Sequence, residues 1–367
     1  MDWTMLLAVI GLSVLGALLV WSATRVELLN GGADPQSYLK RHLLNTGIGF
    51  VLAFLVSLGD YRALRAYAPI LYVVTCAGLV AVLTPLGKTI NGSHSWIVLG
   101  GLQAQPSEFA KVGLVAVWAM LLGELRDAED RPRGRDILLA LGVALLPTAL
   151  VMLQPDLGTA MVFAAVILGM IVVSGARLRW VAGLVLSGVI LIVVAVKLGV
   201  LESYQVQRFT VFTNPGSDLR GAGYNAHQAQ IAVGSGGFFG KGLFQGEQTN
   251  GQFVPEQHTD FIFTVSGEEL GFLGSAAIIV LLGVVLWRAL RIATTSRDMF
   301  GTLLAGGIVS WLSFQAFQNI AMTLGLVPIT GLPLPFVSYG GSATFANMAA
   351  IGLLQMVHLR HQALDYD

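Results

Sequence analysis

Residues 137–174 read ILLALGVALLPTALVMLQPDLGTAMVFAAVILGMIVVS. Within that stretch the only charged side chain is Asp156, set in Gln154-Pro155-Asp156 between two apolar runs. Each run approaches the roughly 20 apolar residues that a helix needs to cross a hydrocarbon core about 30 Å thick. Pro155 cannot continue the first helix, and Asp156 suits the cap of a second. The stretch therefore predicts two membrane spans joined by the shortest of turns.

Working outward, similar apolar stretches recur at 5–24, 43–58, 68–86, 107–123, 180–199, 262–288, 301–325 and 342–358. The composition agrees: of 367 residues, 55% are hydrophobic and 11% charged, against roughly 25% charged in an ordinary soluble domain. Mean hydropathy is +0.73. A soluble protein of this size needs charged surface that this sequence does not have, so the fold class is an all-α polytopic membrane protein with about ten transmembrane helices. A barrel is excluded, because these are continuous runs rather than alternations of about ten residues. The first run lacks a positive leader and is too long for a signal peptide, so it reads as a retained span. Lysines and arginines equal aspartates and glutamates at 21 each, and nothing points to nucleic acid. The lone Cys76 rules out an internal disulfide or a CxxC metal site.

Orientation follows from where the cations fall. Loops after even-numbered spans hold Arg62, Arg65, Arg126, Arg131, Arg133, Arg135, Arg177, Arg179, Arg288, Arg291 and Arg297, all in short connections. Loops after odd-numbered spans hold Arg25, Lys40, Arg41, Lys88, Arg208, Arg220 and Lys241, spread over far more chain. Both termini are therefore expected in the cytoplasm. Locally, Asp2 before the first span and Arg25 after it oppose this, and the summed bias outweighs them. Residues 200–261, between helices 7 and 8, form a large extracytoplasmic loop rich in Gly and Phe, expected to fold back onto the extracytoplasmic mouth and to be partly re-entrant around 224–238. The whole chain, 1–367, reads as one membrane domain.

Charges within spans cost about 2.5–3.5 kcal/mol each to insert and are functional candidates. Glu108 and Lys111 in Gln105-Pro106-Ser107-Glu108-Phe109-Ala110-Lys111 share a helix face, either as a structural ion pair or as part of a site. Asp156 is either a helix cap or a neighbour of that pair. The densest polar run is Pro255-Glu256-Gln257-His258-Thr259-Asp260-Phe261. Asp260 is the last carboxylate before apolar chain. It suits an N-cap for the eighth span equally with a general base for a sugar hydroxyl. On ideal helix geometry Glu268 falls on a face near Asp260, two turns deeper, and Glu269 points away. Glu256, His258 and Asp260 also have the donor types for a hard divalent cation. Ser235-Gly236-Gly237-Phe238-Phe239-Gly240-Lys241-Gly242 imitates a phosphate loop but lacks the Ser or Thr that holds magnesium, and no βα unit surrounds it. Asn91-Gly92-Ser93 matches a glycosylation sequon of little specificity. The Pro- and Gly-broken run Gly331-Leu332-Pro333-Leu334-Pro335-Phe336-Val337-Ser338-Tyr339-Gly340-Gly341-Ser342 must face protein or water, as at a transporter site.

In order along the chain, several motifs resemble the shape, elongation, division and sporulation (SEDS) family. They are Asn91-Gly92…Trp96-Ile97, Gln105-Pro106-Ser107-Glu108…Lys111, Gln154-Pro155-Asp156-Leu157-Gly158, Pro255-Glu256…His258-Thr259-Asp260, Glu268-Glu269-Leu270-Gly271 and Leu334-Pro335-Phe336-Val337-Ser338-Tyr339-Gly340-Gly341-Ser342. Asp2-Trp3, Ser22-Ala23 and Thr330-Gly331-Leu332-Pro333 look more like its rod-shape branch than its division branch. The resemblance implies a peptidoglycan glycosyltransferase that polymerises lipid II outside the bacterial cytoplasmic (inner) membrane during elongation. It implies a class B penicillin-binding protein as transpeptidase partner, other elongation-complex membrane proteins, and no organic cofactor. It makes Asp260 the catalytic carboxylate and the metal-ligand candidate for a magnesium or manganese ion. Glu108, Lys111, Asp156, Arg208, Glu256, His258 and Glu268 are the candidates for the surrounding cavity. The rival readings are a flippase for lipid-linked precursors, with its critical charges near the midplane, and a scaffold in which Asp260 is dispensable.

Overall fold

The computed structural model describes residues 1–90, 93–99, 102–124, 132–197, 212 and 222–363. Its long helices are α1 (Trp3–Asn30), α2 (Ser37–Ser57), α3 (Tyr61–Val82), α4 (Pro106–Glu124), α5 (Gly134–Met152), α6 (Leu157–Val173) and α7 (Leu178–Lys197). Two short helices, α8 (Ala222–Ser235) and α9 (Glu247–Asn250), precede α10 (Ile262–Thr295), α11 (Met299–Thr323) and α12 (Gly341–Ala363). Among the described residues, eight of these helices are long and apolar enough to cross a membrane. The α6 helix and the Leu178–Leu191 stretch of α7 are shorter apolar segments. All ten apolar stretches of the sequence are thus helical, and the chain is a polytopic helical membrane protein.

Aspartates start four of these helices. Asp2, Asp60, Asp156 and Asp298 each accept a hydrogen bond from a backbone N–H in the first turn that follows. Those N–H groups have no partner within the helix, so each cap removes a bare donor. The helices carrying intramembrane polar residues lie innermost: the span windows of α4, α11 and α12 are 72%, 67% and 72% buried, against 17% for α2. Outward-facing Leu43, Leu44, Ile48, Val51 and Leu55 on α2 suit lipid contact. At Gly16 of α1 the bare α-carbon lets Val337 approach, and an added Cβ would sit 2.8 Å from the Val337 Cα.

One element goes beyond the helical expectation. Between α3 and α4, β1 (Gly87–Ile90), β2 (Ser93–Leu99) and β3 (Leu102–Ala104) form an antiparallel sheet in the order β1-β2-β3. Trp96 pairs with Lys88 and Ile97 with Ala104. The β-branched and aromatic residues of this connection suit a pleated surface.

The described part of the long loop folds back on the bundle. The α8 helix packs on the start of α10, which is not a regular helix. Residues Ser266–Leu270 form a π-turn, and Gly271 follows at φ 66°, ψ −159°, a conformation only glycine adopts readily. The phosphate-loop look-alike serves this irregularity. Lys241 N and Gly242 N donate to the Glu268 and Glu269 carbonyls, each at 3.0 Å, and Phe272 N donates to Gly237 O at 2.9 Å. Its glycines permit the close approach: a Cβ on Gly240 would strike the Glu269 carbonyl and one on Gly271 the Gly240 nitrogen. Lys241 binds Glu247 at 3.1 Å and Glu268 at 3.5 Å, and its Glu247 partner holds it above the usual lysine range.

Candidate active site

Two irregular segments meet beside Asp260. One is 255–261, ahead of α10; the other is 326–340, between α11 and α12. Tyr339 N donates to His258 O at 2.9 Å, Ser338 Oγ donates to Thr259 O at 2.6 Å, and Leu334 N donates to Ser338 Oγ at 2.7 Å. Asn319 Nδ2 on α11 donates to Asp260 O and to Leu332 O, both at 2.7 Å. Broken backbone at membrane depth needs such donors and acceptors, since lipid offers none. Backbone torsions here are also unusual: φ is 51° at Glu256 and 65° at Phe336, values that cost a non-glycine residue roughly 1–3 kcal/mol. Gly331 has φ 75°, and a Cβ added there would lie 3.2 Å from Asp260 Oδ2. The half-buried Asp260 carboxylate therefore sits over a residue with no side chain.

An aromatic cluster braces the same junction. The rings of Tyr38 and His258 are 5.0 Å apart, those of Tyr38 and Tyr339 5.0 Å, and those of His258 and Tyr339 5.6 Å. Burial among these rings holds His258 below the usual histidine range, with the Glu256 and Glu27 carboxylates opposing.

Behind the junction lies a buried charge network. Lys111 is 0% exposed; its Nζ reaches Glu108 Oε2 at 2.8 Å and Gln315 Oε1 at 3.1 Å, and it lies 4.7 Å from the Trp311 ring centroid. Trp311 Nε1 donates to the same Gln315 oxygen at 2.7 Å, and Gln315 Nε2 donates to Pro333 O at 2.8 Å. The ammonium thus acts on the broken segment through an amide.

Asp156 caps α6 through Thr159 N at 2.9 Å and Thr159 Oγ1 at 2.8 Å, and it also accepts from Gln105 Nε2 at 3.2 Å. It lies within electrostatic reach of Lys111. Cap and neighbour are both true of it. Gln105 N donates to Ser342 Oγ at 3.0 Å, and a Cβ on Gly158 would lie 2.8 Å from Thr330 O. Motifs that open α4, α6, α10 and α12 are thus brought to one end of the bundle.

The remaining candidates separate. Glu256 accepts from Thr259 Oγ1 at 3.2 Å. Glu268 accepts from Gln248 N, Thr249 N and Thr249 Oγ1, each at 2.8 Å, so it anchors the long loop. Glu269, expected on the opposite side, also turns to this loop through Gly246 N at 3.4 Å, and Ser22 Oγ donates to it at 2.7 Å. The π-turn shifts the helical phase that the sequence argument took as constant. Arg208, Asn91 and Gly92 lie outside the described residues. No group of three or more His, Cys, Asp or Glu able to hold a metal ion occurs among the described residues, so Glu256, His258 and Asp260 do not converge as a metal site. Sequence reasoning missed Asn319, Gln315 and Tyr38. The signal was present as Gln315…Gln318-Asn319, amides at helical spacing inside an apolar run.

The chain matches the family model described as cell cycle protein (FtsW, RodA and SpoVE) over residues 2–363. It is 39% identical to the stage V sporulation protein E of Bacillus subtilis, over 96% of this chain and 95% of that one. It is 36% identical to the peptidoglycan glycosyltransferase MrdB of Escherichia coli, over 100% of this chain and 95% of that one. Among solved structures, a chain from a peptidoglycan synthase complex that coordinates polymerization and crosslinking superimposes with TM-score 0.80 at 32% identity, covering 98% of both chains. The rod shape determining protein RodA of Thermus thermophilus superimposes with TM-score 0.72 at 31% identity, covering 98% of this chain and 97% of that one. A probable FtsW of Trichlorobacter lovleyi is 38% identical, so the likeness is spread across the family's branches and does not single out the rod-shape one.

Proposed function

The chain belongs to the FtsW, RodA and SpoVE family of cell cycle proteins, and from that premise we propose that it is a peptidoglycan glycosyltransferase which polymerises lipid II at the outer face of a bacterial cytoplasmic membrane. Asp260 is the general base: it takes the proton from the acceptor's 4-hydroxyl as that oxygen attacks the donor's anomeric carbon. Undecaprenyl pyrophosphate leaves from the opposite face, and the new bond forms with inversion. Because the pyrophosphate is already a good leaving group, a second carboxylate acting as acid, as in most glycosidases, is not required. The observation that carries this reading is the half-buried Asp260 carboxylate over the bare α-carbon of Gly331, at a junction of broken backbone. A base needs such a partly desolvated position open to substrate.

A magnesium or manganese ion would have Asp260 as its protein ligand and would supply positive charge to offset that of the leaving group. The class B penicillin-binding protein is the proposed partner, supplying crosslinking, and cell elongation is the proposed setting. Both termini lie in the cytoplasm. Arg288 donates to Asp2, which also bonds Gln355, so the start of α1 and the ends of α10 and α12 share one end of the bundle, opposite Asp260.

The test is glycan formation from labelled lipid II by the purified chain with its penicillin-binding partner, whose own polymerase activity is controlled. Asp260→Ala and Asp260→Asn should each abolish polymer while still binding the partner. Undiminished polymer in both would reduce Asp260 to a structural residue of the junction ahead of α10. Labelled lipid crossing the bilayer without any polymer, from a folded wild type, would move the function to flipping.

A further inference from the structure

The α11 helix carries three buried amides, Gln315, Gln318 and Asn319, and each donates to a main-chain carbonyl of the broken segment ahead of α12. Gln318 Nε2 reaches Pro328 O at 3.0 Å, Asn319 Nδ2 reaches Leu332 O at 2.7 Å, and Gln315 Nε2 reaches Pro333 O at 2.8 Å. Of these amide bonds, Asn319's second contact, to Asp260 O at 2.7 Å, is the one that crosses to the other segment. Two carbonyls require the nitrogen on that side, so the amide's orientation is fixed by its partners. Its Oδ1 is buried and has no hydrogen-bond partner. The fold tolerates an unsatisfied acceptor and keeps both donors in place.

We propose that Asn319 is the positioning residue for the Asp260 base: with one nitrogen it clamps the main chain of Asp260 to that of Leu332, and so fixes the carboxylate over Gly331. This rests on the reading of Asp260 as base. Gly331 precedes Leu332 and stands 3.2 Å, measured from an added Cβ, from Asp260 Oδ2. The clamp therefore sets both the carboxylate's own backbone and the surface beneath it. A displacement of about 1 Å in a reacting group can cost about a hundredfold in rate. Gln318 makes a comparable bond to the same broken segment without touching Asp260, which separates positioning from general anchoring.

The experiment measures lipid II polymerisation by the full chain with its penicillin-binding partner, comparing wild type with Asn319→Ala, the isosteric Asn319→Asp, Gln318→Ala and Gly331→Ala. Asn319→Ala and Asn319→Asp should each lose about tenfold or more in kcat, with the KM for lipid II within about twofold of wild type. Gly331→Ala should show the same split, and Gln318→Ala should keep the wild-type kcat. Wild-type kcat in either folded Asn319 variant overturns the proposal. An equal loss in Gln318→Ala overturns it too, as does a loss confined to KM. Should Asn319→Ala fail to fold, Asn319→Asp and Gly331→Ala decide. Polymer from Asp260→Asn would sink the base reading itself, whereas an essential Asp260 beside a dispensable Asn319 sinks this inference alone.

Discussion

Lys111 has no exposed surface, and its charge is answered by Glu108 at 2.8 Å, Gln315 at 3.1 Å and the face of Trp311. Removing one member of a buried pair leaves an uncompensated charge, at a cost of roughly 3–5 kcal/mol, while replacing both with apolar residues is often neutral. Lys111→Ala should therefore lower the melting temperature in detergent strongly, and the double variant Glu108→Leu/Lys111→Met should recover much of it. Equal losses in the single and double variants would argue against the pair as the source. At this scale much was legible: a Lys three residues after a Glu inside a span announces a pair. The missing half was the amides. Gln and Asn carry no charge and scarcely alter an apolar run, so Gln315 and Asn319 gave a weaker signal than their role in the structure warrants.

At the scale of elements, the segment 255–261 is held by its carbonyls and by the His258 ring. Burial depresses the His258 pKa in the fold below the value of about 6.5 it has in an unfolded chain. Above that value both states are neutral and the ring contributes no pH dependence. Below it the unfolded chain takes up the proton first, so stability falls as the pH drops from about 6.5 toward the folded value. On account of this ring the wild type should melt about a degree or two lower at about pH 5.5 than at about pH 7.5, and His258→Gln should show a smaller drop. Identical slopes would place the acid sensitivity elsewhere. The ten apolar helices were legible because their runs are long and nearly free of charge. The kink at Ser266–Leu270 was not, because an angular argument assumes 3.6 residues per turn and a π-turn adds one. The sheet at 87–104 was hidden by its length, since strands of three, four and seven residues leave little periodicity to read.

For the whole molecule, the arrangement of ends is the strongest expectation and the easiest to check. Cys76 is the chain's one cysteine and is buried, so introduced cysteines can be labelled over a quiet background. With an impermeant thiol reagent, Ala33→Cys, between α1 and α2, should label from outside intact spheroplasts. Arg297→Cys, between α10 and α11, should label only after the membrane is opened. The reverse pattern would invert the topology and put Asp260 on the cytoplasmic face. The summed cation bias made this orientation readable, whereas the convergence of distant motifs at one end needed the fold: Gln105 and Ser342 are 237 residues apart in sequence.

The amides of α11 also bear on how the protein is made. A helix entering lipid by itself must leave Gln315, Gln318 and Asn319 without the carbonyls and the ammonium that answer them in the finished bundle. Two of those partners, Lys111 and the Asp260 carbonyl, are synthesised earlier, but Pro328, Leu332 and Pro333 leave the ribosome later. Such a helix is a poor solitary passenger through the translocon. It should linger beside α4 and commit to the bilayer only when the chain that follows has arrived, so biogenesis draws on the same helix face that, through Asn319, sets the geometry at Asp260.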